Sequence, residues 1–191
     1  MSNGLVDRLN QILPKVTSDA FLSGKGIGNE IAFYIFDYPP EDELRVRDHI
    51  QFLLEHIPRQ KPNIRVSHIN LLDFVLTYLQ GRKLLDKAIE MQKTRGEAFV
   101  QRQLATILHP NKIAPAFAET AQPDQQDLVL VSGVGSVYPM LRAHSLLNNL
   151  HAVMGQTPLV VFYPGRYDGH SLRLFGKLTN GNYYRAFKLV P

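Results

Sequence analysis

The chain has 191 residues, of which 45% are hydrophobic and 20% charged, with a formal net charge of +4 and no cysteine. These values are typical of one globular domain with a substantial core, and they exclude a disulfide framework or a thiolate metal site. No stretch is apolar for long enough to span a bilayer, and the first residues, with Asp7 and Arg8, do not form a secretory signal. The sequence therefore predicts a soluble, cytoplasmic protein.

The excess positive charge lies near the C-terminus, where residues 160–191 hold five cations against the single acid Asp168. The cations are Arg166, Arg173, Lys177, Arg185 and Lys188. This number is small beside a typical nucleic-acid-binding arm. A solvated basic face is one interpretation, and contact with DNA, RNA or another polyanion is the alternative.

The N-terminal part predicts a helix, a strand and a second helix. Apolar residues from Leu5 to Leu13 recur at helical spacing, and Pro14 marks the end of that helix. After a glycine-rich turn, residues 31–38, IAFYIFDY, are apolar on both faces, which favours a central strand. The prolines and acids of residues 39–43, PPEDE, suit the N-terminus of the next helix.

The middle of the chain is mainly helical. Residues 63–72, NIRVSHINLL, predict a short strand that runs into a helix ending near Gly81. Further helical patterns occupy residues 83–94 and 97–108, whereas residues 109–126 contain few large apolar side chains and predict a loop with at most a short helix. Residues 70–122 are therefore interpreted as a helical insertion or lobe.

The C-terminal part begins with a strand at residues 128–131, a glycine turn and a helix, followed by the buried strand of TPLVVFYPG. Pro164-Gly165 and Asp168-Gly169 then predict two successive turns. Asn180-Gly181 between strand-like runs is typical of a type I′ turn, so residues 172–190 predict an antiparallel C-terminal β-hairpin.

This order of elements predicts a single α/β domain over residues 1–191, with a mostly parallel sheet between two helical layers. It is either Rossmann-like or close to a phosphate-loop fold that has lost its loop. In such folds other molecules bind at the C-terminal ends of the strands. Three loops qualify, DYPPEDE after the first strand, SGVGSVYP after the third and YPGRYDGHSLRLFG after the fourth.

The candidate metal and phosphate motifs are incomplete. The glycines of residues 24–28, GKGIG, precede a strand and lack the Gly-Lys-Ser/Thr ending of a phosphate loop. Asp37 and the acids of residues 41–43 could form a Mg²⁺ cluster at a strand end, but they lack a partner lysine or a second acidic strand end, and a role at the helix N-terminus is favoured. His144 and His151 lie seven residues apart without a third ligand. We therefore predict no metal and no cofactor.

The fourth-strand loop contains the residue types of a hydrolase triad, Asp168, His170 and Ser171. Triads are assembled from distant segments, and three neighbours in one turn rarely reach the required geometry. We predict no catalytic residue here. Arginine and tyrosine on an ordered loop are instead typical of protein interfaces.

Three stretches are similar to the BrxB family of bacteriophage exclusion (BREX) systems. They are NEIAFYIFDYPPEDELRVRDHI, LVLVSGVGSVYPMLRAHSLLNNL and PLVVFYPGRYDGHSLRLFG, the last followed by NYYRAFKLV. The resemblance covers nearly the whole chain. It implies a cytoplasmic component of a multi-protein phage-defence locus that acts with a DNA methyltransferase, a large ATPase and a PglZ-type alkaline-phosphatase-like protein. It implies no settled enzymatic activity, which agrees with the incomplete motifs above.

The leading hypothesis is a non-enzymatic subunit that docks a larger BREX protein, first of all the PglZ-type protein, through the strand-end loops and the hairpin. The residues predicted for this contact are Tyr138, Arg142, Arg166, Tyr167, Asp168, His170 and Arg173. The alternatives are a degenerate nucleotide-binding domain and a polyanion-binding module. The residues predicted for polyanion binding are Arg173, Lys177, Arg185 and Lys188.

Overall fold

The computed structural model describes residues 3–23, 32–179 and 186–191. Helices α1 (Asn3–Asn10), α2 (Ile12–Val16) and α3 (Asp19–Leu22) come first. Helix α2 continues through Pro14, where the sequence predicted an end, because a proline in the first turn of a helix has no hydrogen bond to lose. The predicted glycine-rich turn lies outside the described residues from position 24 onward.

Strands and helices then alternate in the predicted order. Strand β1 (Phe33–Tyr38) and a 3₁₀ turn (Pro40–Asp42) lead to α4 (Glu43–Gln60) and β2 (Val66–Asn70). Four helices follow: α5 (Leu71–Gly81), α6 (Leu85–Arg95), α7 (Glu97–Ile107) and α8 (Pro110–Ala121). After β3 (Leu128–Ser132) come α9 (Val134–Val137), α10 (Ala143–Leu150) and β4 (Leu159–Tyr167). The described chain ends with β5 (Leu172–Leu174), β6 (Leu178–Thr179) and β7 (Phe187–Lys188).

The sheet is mostly parallel, as predicted. Strands β2, β3, β4, β1 and β7 lie side by side in that order, and each neighbouring pair runs parallel. This order differs from both the 3-2-1-4-5-6 order of Rossmann folds and the 2-1-3-4-5 order of flavodoxin-like folds. The α/β class with a parallel sheet is confirmed, whereas a Rossmann-like or phosphate-loop-like form of it is not.

Helices cover both faces of the sheet. Val129, Val131 and Val161 pack on one face against residues of α5, α7, α8 and α10. Leu130 and Val160 pack on the other face against α1, α2 and α4. Side chains alternate between faces along a strand, so the same strands serve both cores, and the helices of residues 71–121 share a core with the sheet. None of the described helices is long and apolar enough to cross a membrane.

Helix α8 occupies much of the segment that the sequence predicted as a loop. It begins at Pro110, which needs no donor at a first helical position, and the His109 ring accepts a hydrogen bond from the N–H of Asn111 at 3.4 Å. Its buried side includes Ala114 and Ala121 and packs closely against α10. The prediction of a loop-like stretch with a possible short helix underestimated this helix, because a stripe built partly of alanine has little hydrophobic signal.

The predicted C-terminal hairpin of residues 172–190 is not confirmed by the described residues. Strand β5 pairs with both β4 and β6, while β7 adds to the parallel sheet beside β1. The Leu189 N–H donates to the Ile35 carbonyl at 2.9 Å, and Leu189 and Val190 are buried. An edge of a packed sheet gives these residues more burial than an isolated two-stranded hairpin would. The Asn180-Gly181 turn itself lies outside the described residues.

Candidate functional site

Strand β4 changes its partner at Pro164-Gly165. Up to Pro164 it pairs parallel with β1, and from Gly165 to Tyr167 it pairs antiparallel with β5. The Pro164 carbonyl accepts a hydrogen bond from the N–H of Phe175 at 2.9 Å, which begins the antiparallel ladder. The turn predicted here from Pro-Gly is therefore wrong, because the strand runs through both residues. Because β4 continues to Tyr167, its end and the paired strands β5 and β6 lie beyond the carboxyl edge of the parallel sheet.

Gly165 allows β5 to approach β4 closely. A Cβ atom at this position would collide with the backbone carbonyl oxygen of Arg173. The inward side of this small sheet is buried and joins the main core through Tyr167, Leu172 and Leu174. The end of β4 together with β5 and β6 is therefore a fixed extension of the core, which we call the β4–β5 extension.

The loops after β1 and β3 meet at this edge, as the strand-end rule predicted. The Tyr38 hydroxyl donates to the Glu43 carboxylate at 2.6 Å, and burial, followed by this acidic partner, raises the pKa of Tyr38 well above its ordinary value. Arg47 donates to Glu43 at 2.9 Å and to the Ser136 hydroxyl at 3.2 Å. These bonds join the start of α4 to the loop after β3.

The loop after β3 also contacts the β4–β5 extension. The rings of Tyr138 and Phe175 stand edge to face with centroids 6.3 Å apart. A Cβ atom at Gly135 would lie 3.0 Å from the Phe175 ring and 3.1 Å from Pro164. Tyr138, a predicted contact residue of the third-strand loop, thus lies against Phe175 of the β4–β5 extension.

A buried carboxylate, Asp37, joins three segments at the end of β1. Its Oδ1 accepts from Arg8 of α1 at 2.8 Å, and its Oδ2 accepts from the Tyr167 N–H at 3.0 Å. Lys188 Nζ lies 3.8 Å from Oδ2, and Arg8 also donates to the carbonyls of Asp37 at 2.8 Å and Val190 at 3.2 Å. We call Asp37, Arg8 and Lys188 the Asp37 cluster. It holds the N-terminal helix, the C-terminal tail and β4 together.

An open cavity of about 400 Å³ lies between the Asp37 cluster and the extension. Its walls are Arg8, Asp37, Tyr38, Pro39, Pro40, Glu41, Gly165, Arg166, Phe175 and Gly176. Among the described residues, no three His, Asp or Glu side chains are grouped closely enough to hold a metal ion. The cavity therefore presents groups of both charges, Arg8 and Arg166 with Asp37 and Glu41, beside the aromatic side chains of Tyr38 and Phe175.

The outward side of the extension carries charge and apolar area together. Arg166 and Arg173 stand directly opposite each other across β4 and β5, and both are exposed. Lys177 is exposed in the β5–β6 turn, and Phe175 is 36% exposed. Leu178 is 38% exposed but stands opposite the buried Leu174 across β5 and β6, so it belongs to the inward side. We call Arg166, Arg173, Lys177 and Phe175 the hairpin surface. Arginine beside an aromatic ring is a frequent composition of protein-binding hot spots.

Other predicted contact residues have local structural roles. The Tyr167 ring is 1% exposed, and its hydroxyl donates to the Ala186 carbonyl at 2.7 Å. Asp168 accepts from the Ser171 hydroxyl at 2.7 Å and from the N–H groups of Ser171 at 2.7 Å and His170 at 2.9 Å. These bonds hold the pKa of Asp168 far below its usual range, with the Ser171 hydroxyl contributing most. Asp168 and Ser171 therefore build the turn into β5.

The remaining predicted residues are spread over the edge. Arg142 is exposed just before α10, and His170 is exposed in the turn before β5. Of the residues predicted for polyanion binding, Lys188 lies on β7 beside Asp37, away from the strand that carries Arg173. Arg185 is outside the described residues. Of the described residues predicted for polyanion binding, Arg173 therefore lies on β5, which pairs with β4 and β6, and Lys188 on β7, which pairs with β1.

Sequence reasoning considered Asp37 only as part of a possible Mg²⁺ cluster, and it missed Arg8 and Phe175. A charged residue inside the apolar run IAFYIFDY was a usable signal, because a buried carboxylate requires a partner. Nothing local identified Arg8 as that partner. Phe175 was missed because its exposure depends on a left-handed backbone conformation, with φ of 54°, at the tip of the β5–β6 turn.

Comparison with known proteins gives one consistent family. The family described as "BREX protein BrxB" matches residues 67–189. A protein of that description from Bacillus cereus (strain H3081.97) is 39% identical over 188 residues, covering 96% of each chain. Another from Escherichia coli O9:H4 (strain HS) is 39% identical over 184 residues, covering 96% of this chain and 90% of that protein. No solved structure matches significantly. The chain belongs to the BrxB family of BREX proteins.

Proposed function

We propose that this protein is a non-enzymatic subunit of a BREX phage-defence system and docks a larger protein of that system through the hairpin surface. Membership of the BrxB family supports the BREX context. One observation carries the docking role. The ends of β1, β3 and β4 meet at a single edge, where a rigid extension exposes Arg166, Arg173 and Phe175 together.

The partner to test first is the PglZ-type alkaline-phosphatase-like protein, which the family resemblance associates with BREX loci. A rigid, preformed surface suits stable association, because little conformational entropy is lost when a partner binds. The inward packing of Tyr167, Leu172 and Leu174 provides that rigidity.

The polar groups at this edge support binding rather than catalysis. Asp37 is held by Arg8 and by the Tyr167 N–H, and Asp168 is held by its own turn. A nucleophile needs a base within hydrogen-bond reach, itself oriented by a third group. The carboxylates of this edge instead stabilise the fold beneath an exposed surface.

Co-purification from cells that express the complete BREX locus tests the proposal. Tagged wild-type protein should retain the PglZ-type protein, and the double variant Arg166→Glu with Arg173→Glu should lose it and lose phage protection. The matched control is Lys93→Glu with Arg102→Glu, which reverses two exposed cations on α6 and α7. Retention of no BREX protein by the wild type, or equal behaviour of both double variants, would contradict docking at this surface.

Polyanion binding is the second candidate function, because Arg166, Arg173 and Lys177 are all exposed on one extension. Binding to duplex DNA or RNA would weaken steeply as salt increases, since phosphate contacts release counterions. Retention on immobilised DNA should then fall in the variant Arg173→Gln with Lys177→Gln. Retention that is absent, or that does not depend on salt, would remove this candidate.

A further inference from the structure

We infer that the facing pair Arg166 and Arg173 recognises carboxylates of a short acidic protein segment, with Phe175 contacting an adjoining apolar side chain. This inference rests on the proposed docking function and names the chemistry of the partner. The structural basis is the outward row of the β4–β5 ladder, where the two arginines are paired in register.

The arginine pair has a geometry suited to carboxylates. Directly opposed residues of antiparallel strands have Cβ atoms about 4.5–5.5 Å apart. Two guanidinium groups on such a base can each form paired N–H···O bonds to a carboxylate, a contact that lysine does not reproduce. Gly165 and Pro164 fix the pairing of β4 with β5, so both guanidinium groups extend from a rigid backbone.

The two arginines are not neutralised by ion pairs within the described part of the chain. Asp168 interacts with Arg173 through its charge, but its carboxylate accepts hydrogen bonds from the N–H groups of His170 and Ser171 and from the Ser171 hydroxyl. Directly opposed like charges destabilise a sheet pair. In the unbound protein the two arginines repel each other, and a ligand that places negative charge between them removes this repulsion.

The surrounding charges favour a short acidic segment over a nucleic acid. Glu41 lines the cavity next to Arg166, and Asp168 is exposed beside Arg173. A phosphate backbone needs a continuous basic track along several nucleotides. Here acids flank the cations, so a long polyanion would extend over Glu41 and Asp168, whereas a segment with one or two carboxylates can contact the arginine pair alone.

The apolar part of the hairpin surface can contact an apolar side chain next to the bound carboxylates. Phe175 is 36% exposed, rests edge to face on Tyr138 and lines the same cavity as Arg166. A ring fixed in this way presents apolar area without losing side-chain freedom on binding. A segment that combines Asp or Glu with a neighbouring aliphatic residue would satisfy both parts.

The direct test is a titration of the full chain, isotopically labelled, with an end-blocked Glu-Leu-Glu peptide, followed by amide chemical shifts. We expect salt-sensitive shifts confined to residues 164–179 and to Tyr138, and no shifts with an end-blocked Gln-Leu-Gln peptide. The variant Arg166→Gln with Arg173→Gln should weaken binding by roughly ten- to hundredfold. Arg166→Lys with Arg173→Lys should also weaken it, because lysine keeps the charge and loses the fork.

Each alternative outcome overturns the inference. Equal shifts with Glu-Leu-Glu and Gln-Leu-Gln would show that the carboxylate charge does not contribute to binding. No shifts with either peptide would show that no such site exists. A short duplex DNA that binds the same residues more tightly than the acidic peptide would identify the ligand as nucleic acid. Full binding by the Arg→Lys variant would show attraction by charge alone.

A second measurement separates this inference from the docking proposal. If the wild type retains a BREX protein and the Arg→Gln variant retains it equally, docking stands and recognition by the arginine pair is wrong. If the wild type retains no BREX protein, docking fails, while the peptide titration still decides whether the arginine pair binds carboxylates.

Discussion

Arg8 and Arg166 line the same cavity, yet they occupy opposite chemical situations. The Arg8 side chain is 23% exposed and donates to the Asp37 carboxylate and to two backbone carbonyls. Arg166 is exposed and faces another arginine across the β4–β5 ladder. One cation joins three segments of the fold, whereas the other is presented to solvent on a rigid support.

The net charge of a segment by itself does not locate a binding surface. Lys188 belongs to the basic C-terminal segment of the sequence, but it lies 3.8 Å from Asp37 and contributes to the structural cluster. Arg173, from the same segment, remains available for a partner. Substitutions in the two regions should therefore have different consequences, stability in the first and binding in the second.

The largest effect is expected from Asp37→Ala, which removes the acceptor shared by Arg8, Lys188 and the Tyr167 N–H. Loss of one partner of a buried ion pair leaves the others uncompensated, so the free energy of unfolding should fall by about 3–5 kcal/mol. Urea denaturation measures this change. Asp48→Asn, at an exposed position of α4, is the control and should change stability little. Similar results for both variants would show that the cluster is not structural.

Gly165→Ala is expected to have the next largest effect, because the added Cβ would collide with the Arg173 carbonyl and force β5 away from β4. Overpacking of this kind costs about 1–3 kcal/mol, and the extension should lose protection from hydrogen exchange. Gly81→Ala is the matched control, since nothing lies within 4 Å of its added Cβ. Unchanged exchange in residues 165–174 of the Gly165 variant would contradict the close approach.

A moderate effect is expected from pH. Burial lowers the pKa values of His49, His68, His144 and His151 below their ordinary value of 6.5. Below about pH 6.5 the unfolded chain therefore binds more protons than the folded chain, so stability is complete above that pH and decreases as the pH falls through the lowered values.

Thermal unfolding between pH 7.5 and pH 5 would measure this loss. The His68 Nε2 atom lies 2.8 Å from the Ser132 hydroxyl on the neighbouring strand. His68→Gln can keep that hydrogen bond without titrating, so the dependence of the melting temperature on pH should become shallower. An unchanged slope in the variant would show that His68 does not contribute.

The smallest effect on stability is expected from Arg166→Gln with Arg173→Gln. Both side chains are exposed, so the free energy of unfolding should change by no more than about 0.5 kcal/mol, and any change should favour the variant because two like charges are removed. Urea denaturation beside the binding measurements checks this. A large loss of stability would place the arginine pair with the Asp37 cluster and contradict the separation of the two regions.

Much of the fold could be predicted from residue patterns, while the candidate site could be predicted only in part. The apolar runs around β1, β3 and β4 predicted the parallel sheet, and strand-end logic predicted that their loops meet. Tyr167 looked like a contact residue because tyrosine is frequent at interfaces, but register on β4 directs its ring inward. Strand β4 changes its partner at Pro164, and which of its later side chains point inward could not be inferred without knowing the new partner.

The sequence by itself determined the α/β class, the order of the elements and the basic character of the C-terminal segment, because these depend on local periodicity and composition. Only the tertiary structure decided which strand β7 joins, which cation neutralises Asp37 and which arginines remain exposed. These outcomes depend on contacts between residues far apart in the chain, such as Arg8 with Asp37 and Tyr167 with Asp37. Local patterns contain no record of such contacts, because many pairings satisfy the same local preferences and only packing of the whole chain selects one.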